Sequence, residues 1–212
     1  MNTEIDAVVF DFGGVLSSSV GAVMASTIGD REIDFERFLP IMLGPFDDDT
    51  DHPWHRMERG EISADQGFAE ILSLAAGEGY PDFPTPPTGS EMIAGLSPAE
   101  PMIAAARTAR EAGYTTAILT NIFHEAHSWR DVCGAEDLVD VIIESCEVGM
   151  RKPSRDVFEH TLAALGGVAP ERTLFLDDFP WNITGAKNAG LQTLHVTDSQ
   201  PAAAELLRIL DL

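Results

Sequence analysis

Lysine is almost missing from this 212-residue chain: Lys152 and Lys187 are the only two, among 13 basic residues that face 35 acidic ones, for a formal net charge of −22. So large an acidic excess repels nucleic-acid backbones and anionic membrane surfaces, which excludes both as expected partners. Cysteine is equally scarce. Cys133 and Cys146 form no C-x-x-C pair and are too few for a disulfide framework or a four-thiolate metal site, so a reducing, cytoplasmic compartment is expected. No apolar run approaches the length of a membrane span, and the opening MNTEIDAVVFDF lacks the basic region and small-residue cleavage site of a secretory leader. What is present, 44% apolar and 23% charged residues, suits one compact domain or a core with a modest insert.

Short β-branched and aromatic runs recur at residues 5–10, 115–119, 139–143, 173–176 and 192–196, and each reads as a buried strand. Helical patterns separate them from the second run onward. Pro101 and Gly113 bracket the Ala-rich MIAAARTAREA, residues 156–165 stop at Gly166-Gly167, and residues 182–189 stop at Gly190. The alternation predicts an α/β fold: a parallel sheet with helices on both faces. Between the first two strands the pattern is helical (DREIDFERFLPIML, then SADQGFAEILSLAAG), and the Pro-rich stretch at residues 81–90 reads as an extended return hinge. The expected division is therefore a core of residues 1–16 and 90–212 with a helical insert at residues 17–89.

VVFDFGGVL places Asp11 at the carboxyl end of the first strand, where open α/β sheets gather their ligands, and Gly13-Gly14 permit a tight turn. A carboxylate there can attack phosphorus, although Asp and Gly at a strand-to-turn junction equally serve conformation alone. The second strand ends in Thr120-Asn121, which offers a hydroxyl and a backbone amide at the same sheet edge. Lys152 stands before Pro153 at a helix entrance, where an ammonium can offset a carboxylate nucleophile and a phosphate oxygen. The fourth strand closes on Asp177-Asp178, and paired acids at the end of an apolar run want a cation.

In that order VVFDFGGVL, AILTN, RKPSRDVF and LFLDDFPWN resemble the four motifs of the haloacid dehalogenase superfamily. ERGEIS at 58–63, CEVGMRKP at 146–153 and FLDDFPWNITGAKNAG at 175–190 resemble most the branch that holds bacterial glucose-1-phosphatase-like proteins and the N-terminal phosphatase domain of soluble epoxide hydrolase. The resemblance implies a Rossmann-like core with a helical cap inserted after the first strand, and a phosphatase of small phosphorylated metabolites. It further implies Asp11 as nucleophile, and Phe12, Gly13, Thr120, Asn121 and Lys152 around the phosphoryl group. Mg²⁺ would sit on Asp11, the Gly13 carbonyl and Asp178, with Asp177 and Asn182 supporting them.

One position departs from that pattern. Most phosphatases of the superfamily carry a second Asp two residues after the nucleophile, as general acid and base, and here Gly13 stands there. Such catalysis is typically worth ~10²–10⁴ in rate. Three readings follow: a phosphatase or phosphotransferase for substrates that need little leaving-group protonation, such as anomeric sugar phosphates; a catalytically impaired phosphate-binding or regulatory module; and a metal-independent dehalogenase. The persisting Asp177-Asp178 pair disfavours the last, and the absence of any Lys before Arg151 disfavours a phosphonatase. His52 and His55, after the acidic run at 47–51, read as a solvated loop. His124 and His127 read as surface residues that could overhang the site, and Trp54, Arg56 and Glu61 as specificity candidates.

Overall fold

The computed structural model describes residues 4–21, 23, 35–85 and 87–212, with the side chains of residues 35 and 36 excepted. Five strands, β1 (Ala7–Phe10), β2 (Thr115–Thr120), β3 (Val141–Glu144), β4 (Thr173–Asp177) and β5 (Gln192–His195), form one sheet in the order β3-β2-β1-β4-β5. Every pairing is parallel. All five runs read from the sequence are strands, with ends shifted by one or two residues.

The near-continuous apolar strand sequences are explained by burial on both faces. Successive residues of β1 alternate between two cores: Val8 and Phe10 face one, Ala7 and Val9 the other. On the first face Ile118, Leu174 and Leu176 pack against α5 (Glu100–Glu111) and α11 (Ser199–Ile209), through Met102, Ala106 and Leu206. On the second face Leu119 and Phe175 meet α9 (Arg155–Ala164) and α10 (Pro180–Asn188), through Phe158, Leu162 and Ile183. The helices expected at 156–165 and 182–189 are α9 and α10, and the Ala-rich segment is α5.

Residues between β1 and β2 form α1 (Phe35–Leu43), α2 (Pro53–Glu58), α3 (Ala64–Gly77) and α4 (Gly89–Ala94). The part of the helical reading at residues 30–34 lies outside the described residues. Helix α3 starts where Ser63 accepts a hydrogen bond from the Gln66 N–H, which satisfies one of the orphan donors of a helix start. The Pro-rich stretch ends sooner than its composition suggests: Thr88 and Glu91 make a reciprocal capping box, so Gly89 and Ser90 already belong to α4. Where the chain leaves and re-enters the sheet layer, Ser17 bridges Pro98, and Leu16 accepts the Ala99 N–H at 2.9 Å. Between β2 and β3 lie α6 (Trp129–Cys133) and α7 (Ala135–Leu138), and after β3 the short α8 (Ser145–Val148).

Strand order decides where a ligand can sit. The chain builds outward from β1 to β3, then crosses to β4 on the other side, so the switch point lies between β1 and β4. Phe10 pairs with Leu176 across that junction and with Ile118 on the other side. One residue further, the ends of β1 and β4 bring Asp11 beside Asp177.

Candidate active site

At the carboxyl ends of β1, β2 and β4 four charged side chains meet. The Lys152 ammonium, 1% exposed, lies 2.7 Å from an Asp11 oxygen and 2.7 Å from an Asp177 oxygen, and its Nζ stands 5.5 Å from the centre of the Phe175 ring. Oxygens of Asp11, Asp177 and Asp178 come within 4.8 Å of one another. Burial resists the charge on Lys152, but Asp11 and Asp177 outweigh it and hold the amine above its ordinary pKa. Burial pushes the Asp11 carboxyl up to about 7 despite the pull of Lys152. Burial, reinforced by the charges of Asp11 and Asp177, pushes Asp178 to about 8. Three carboxylates against one ammonium leave negative charge uncompensated.

The two acids of the pair differ. Asp177 is saturated: Oδ1 accepts the Phe179 N–H at 2.8 Å, Oδ2 accepts from Lys152, and the Asn182 amide nitrogen lies 3.1 Å from both oxygens. Asp178 Oδ1 is buried with no hydrogen-bond partner. Its carboxylate reaches this place because Gly14 has no side chain: a Cβ there would stand 2.2 Å from Asp178 Oδ2, and Gly14 sits at φ 79°. Gly13 does not share that left-handed conformation; a Cβ on it would stand 2.9 Å from a Val20 methyl group.

Asp11, Phe12, Gly13, Thr120, Asn121, Lys152 and Asn182 all line one cavity of about 390 Å³. Asn121 is turned toward the protein. Its amide donates to the Lys152 carbonyl and accepts the Lys152 N–H, both at 2.9 Å, so both ends of the side chain clasp the peptide that carries the lysine. Beside it runs a buried network that sequence reasoning missed. Glu58 accepts from Trp54 Nε1 at 2.9 Å and from Arg151 Nε at 2.6 Å, tying α2 to the loop before Lys152. Both partners stood in segments singled out for resemblance, ERGEIS and CEVGMRKP, and acid and base flanking a helix and a motif lysine are the only signal the sequence offers.

The remaining lining is apolar: Leu39 and Leu43 of α1, Met92 of α4, Ile122 after β2, and an aromatic stack at the rim. In that stack Trp181 lies between Phe46 and Phe179, with centroids 4.7 and 4.6 Å away, so the helical segment and the β4 loop meet face to face. Of the specificity candidates, Trp54 lines the cavity, whereas Arg56 and Glu61 lie off it in ion pairs. His124 and His127 do not line it; His124 is 3.1 Å from Glu147.

His55 corrects the solvated-loop reading. It is 0% exposed on α2, Nδ1 accepts the Thr50 N–H at 3.0 Å, and burial, then the Arg151 and His52 charges, push it down to about 3. The acidic run before it was misleading because Asp49 turns inward to Arg59 and Arg151 instead of into water.

The haloacid dehalogenase-like hydrolase family matches residues 5–190. Bifunctional epoxide hydrolase 2 of Rattus norvegicus is 30% identical over 94% of this chain, which spans only 38% of that protein. A sesquiterpene phosphatase of Aspergillus oryzae is 29% identical over 99% of both chains. Among solved structures, a haloacid dehalogenase family enzyme of Bacteroides thetaiotaomicron, in complex with magnesium and inorganic phosphate, superposes with a TM-score of 0.59 at 20% identity, over 92% of this chain and 96% of that one. Among the described residues no helix is long and apolar enough to cross a membrane. The sheet order, the acids at its switch point and these likenesses agree: the chain belongs to the haloacid dehalogenase-like hydrolases, an enzyme whose full-length relatives include a phosphatase.

Proposed function

We propose that this hydrolase is a magnesium-dependent phosphatase that works through an aspartyl phosphate on Asp11, with residues 17–89 as a cap over the site. The observation that carries the reading is the arrangement of Asp11, Lys152 and Asp178 at the sheet's switch point, with one Asp178 oxygen buried and unpartnered. Clustered hard oxygen donors with excess negative charge fit Mg²⁺. Asp11, Asp178 and the Gly13 carbonyl would hold it, and the bound ion supplies positive charge for the phosphoryl oxygens.

The chain's own residues account for the rest. Lys152 fixes one Asp11 oxygen at 2.7 Å and leaves the other to attack phosphorus. As the Asp11–phosphorus bond forms, the bond to the leaving oxygen breaks and that oxygen keeps the electron pair. Water then attacks phosphorus, the bond from Asp11 to phosphorus breaks with its electron pair restoring the carboxylate, and the proton the water gives up passes through solvent to the oxygen that left. Asn121 acts through Lys152 as a positioning residue, Asp177 holds the ammonium from the far side, and Asn182 donates to Asp177. With Gly13 and a Val20 methyl group where a second Asp would reach, the leaving oxygen departs without a proton from that position.

Hydrolysis of p-nitrophenyl phosphate tests this: it should need Mg²⁺ and fall by about 10⁴-fold or more in Asp11→Asn. Activity retained in that variant overturns covalent catalysis by Asp11. Across aryl phosphates the rate should rise steeply with leaving-group acidity, since nothing at position 13 protonates the departing oxygen; alkyl phosphates should lag by about 10²–10⁴. Equal rates overturn the absent acid.

A further inference from the structure

We infer that the substrate is a phosphate ester with an apolar body, an aromatic group or a hydrocarbon whose oxygen leaves readily, and not a sugar or nucleotide; this rests on the reading of Asp11 as phosphoryl acceptor. The cavity has two chemically separate parts. Its polar side chains gather at one end: Asp11 with Lys152, the Lys152 peptide with Asn121, Asn121 with Glu58 at 3.4 Å, and Glu58 with Arg151, with Thr120 and Asn182 beside them. Most of their polar atoms are committed to one another, and the buried atoms among them without a hydrogen-bond partner, Arg151 Nη1 and Asn182 Oδ1, belong to this same polar end. Glu58 accepts from Trp54 and Arg151 on separate oxygens, and both ends of the Asn121 amide are occupied by the Lys152 peptide.

Beyond that group the lining side chains are Leu39, Leu43, Phe46, Met92, Ile122 and others of their kind. A sugar phosphate seated there would bury several hydroxyls that give up hydrogen bonds to water, with few partners among the described residues to replace them. Unpaired buried polar groups cost more than a missing hydrogen bond gains, so a polyol body is selected against. An apolar body loses nothing on leaving water and gains with each carbon buried. At about 390 Å³ the space is that of a pocket for an organic molecule of drug-like size, well beyond what inorganic phosphate fills. Trp181, held between Phe46 and Phe179, adds a flat aromatic surface at the rim.

The test is a series of non-hydrolysable alkylphosphonates, ethyl, butyl, hexyl and octyl, measured with Mg²⁺ both as competitive inhibitors of p-nitrophenyl phosphate hydrolysis and by fluorescence of Trp54 and Trp181. Affinity should rise by about fourfold per methylene until the space is full. Glucose 1-phosphate and adenosine monophosphate should bind no better than ethylphosphonate. In Leu43→Gln the increment per methylene should shrink, and its melting temperature shows whether the fold is retained. A series flat from ethyl to octyl, or sugar phosphate binding tighter than hexylphosphonate, overturns the inference even if hydrolysis is robust. Chain-length-dependent binding without any hydrolysis supports the apolar ligand and overturns the phosphatase reading instead.

Discussion

At the floor of the cavity Asp11 and Lys152 stand with Asp177 and Asp178 clustered beside them, while the walls are leucine, methionine, isoleucine and stacked aromatics. The walls do what folding favours: each apolar side chain removed from water stabilises the fold, at roughly 25 cal/mol per Å² buried. The floor does the opposite. Asp11 and Asp178 are held far from their ordinary pKa values by their own burial, so the folded chain bears a cost there that the two-sided apolar sheet must offset. Stability and chemistry are thus kept on different residues, and a substitution on either side should betray which it serves.

The sharpest test of that division is Lys152→Met. It keeps most of the length of the side chain and removes the cation that, among the described residues, pairs with Asp11 and Asp177, so it should destabilise by about 3–5 kcal/mol, as does breaking a buried ion pair from one side. Chemical denaturation in chelator measures it; a loss below about 1 kcal/mol would show that the floor is solvated and not in balance.

A smaller contrast separates neighbouring glycines. Gly14→Ala drives a methyl into Asp178 at a positive φ, and should cost roughly 1–3 kcal/mol and weaken Mg²⁺ binding. Gly13→Ala meets only a Val20 methyl, which can shift by rotation, so its cost should be under about 1 kcal/mol. Equal effects in melting and metal titration would place Asp178 elsewhere.

The pH dependence of stability without metal reads the same floor in the unaltered chain. Asp11 and Asp178 have folded pKa values of about 7 and 8 against unfolded values near 3.8, so the folded chain binds more protons across that window. Their contribution is fully present below about pH 4 and is lost as the pH rises through 7 and 8. In chelator the melting temperature should therefore fall between pH 5.5 and pH 8.5, less steeply in Asp178→Asn, and Mg²⁺ should flatten the fall. A rise over that range would reverse the sign of the argument.

Much of the floor was legible in the sequence because a parallel sheet converts strand ends into neighbours. Once the apolar runs are strands, Asp11, Thr120 and Asp177 must meet at one edge, and a chain with only two lysines narrows the choice of counter-ion. Side-chain direction was not legible. Asn121 stood as a phosphoryl ligand beside a backbone amide, and nothing in the sequence showed that its side chain clasps the Lys152 peptide or that the missing Cβ of Gly14 makes room for Asp178. The walls were hidden for another reason: Leu39, Met92, Ile122 and Trp181 come from separate segments, and each reads locally as an ordinary apolar residue. His55 was concealed by composition, since a run of aspartates describes water-facing chain until one of them turns inward.

The central place of β1 also sets an order of events during synthesis. Asp6, at its edge, pairs with Arg172 across 166 residues of chain. At a synthesis rate of about 5–20 residues per second, roughly 8–33 s separate the two partners. Through that interval the fully apolar Ala7–Phe10 has no β4 to cover it, while β2 and β3, close in sequence, can already pair. The strand that leads into Asp11 is made first, yet its β4 side stays open until nearly the whole sheet has been synthesised.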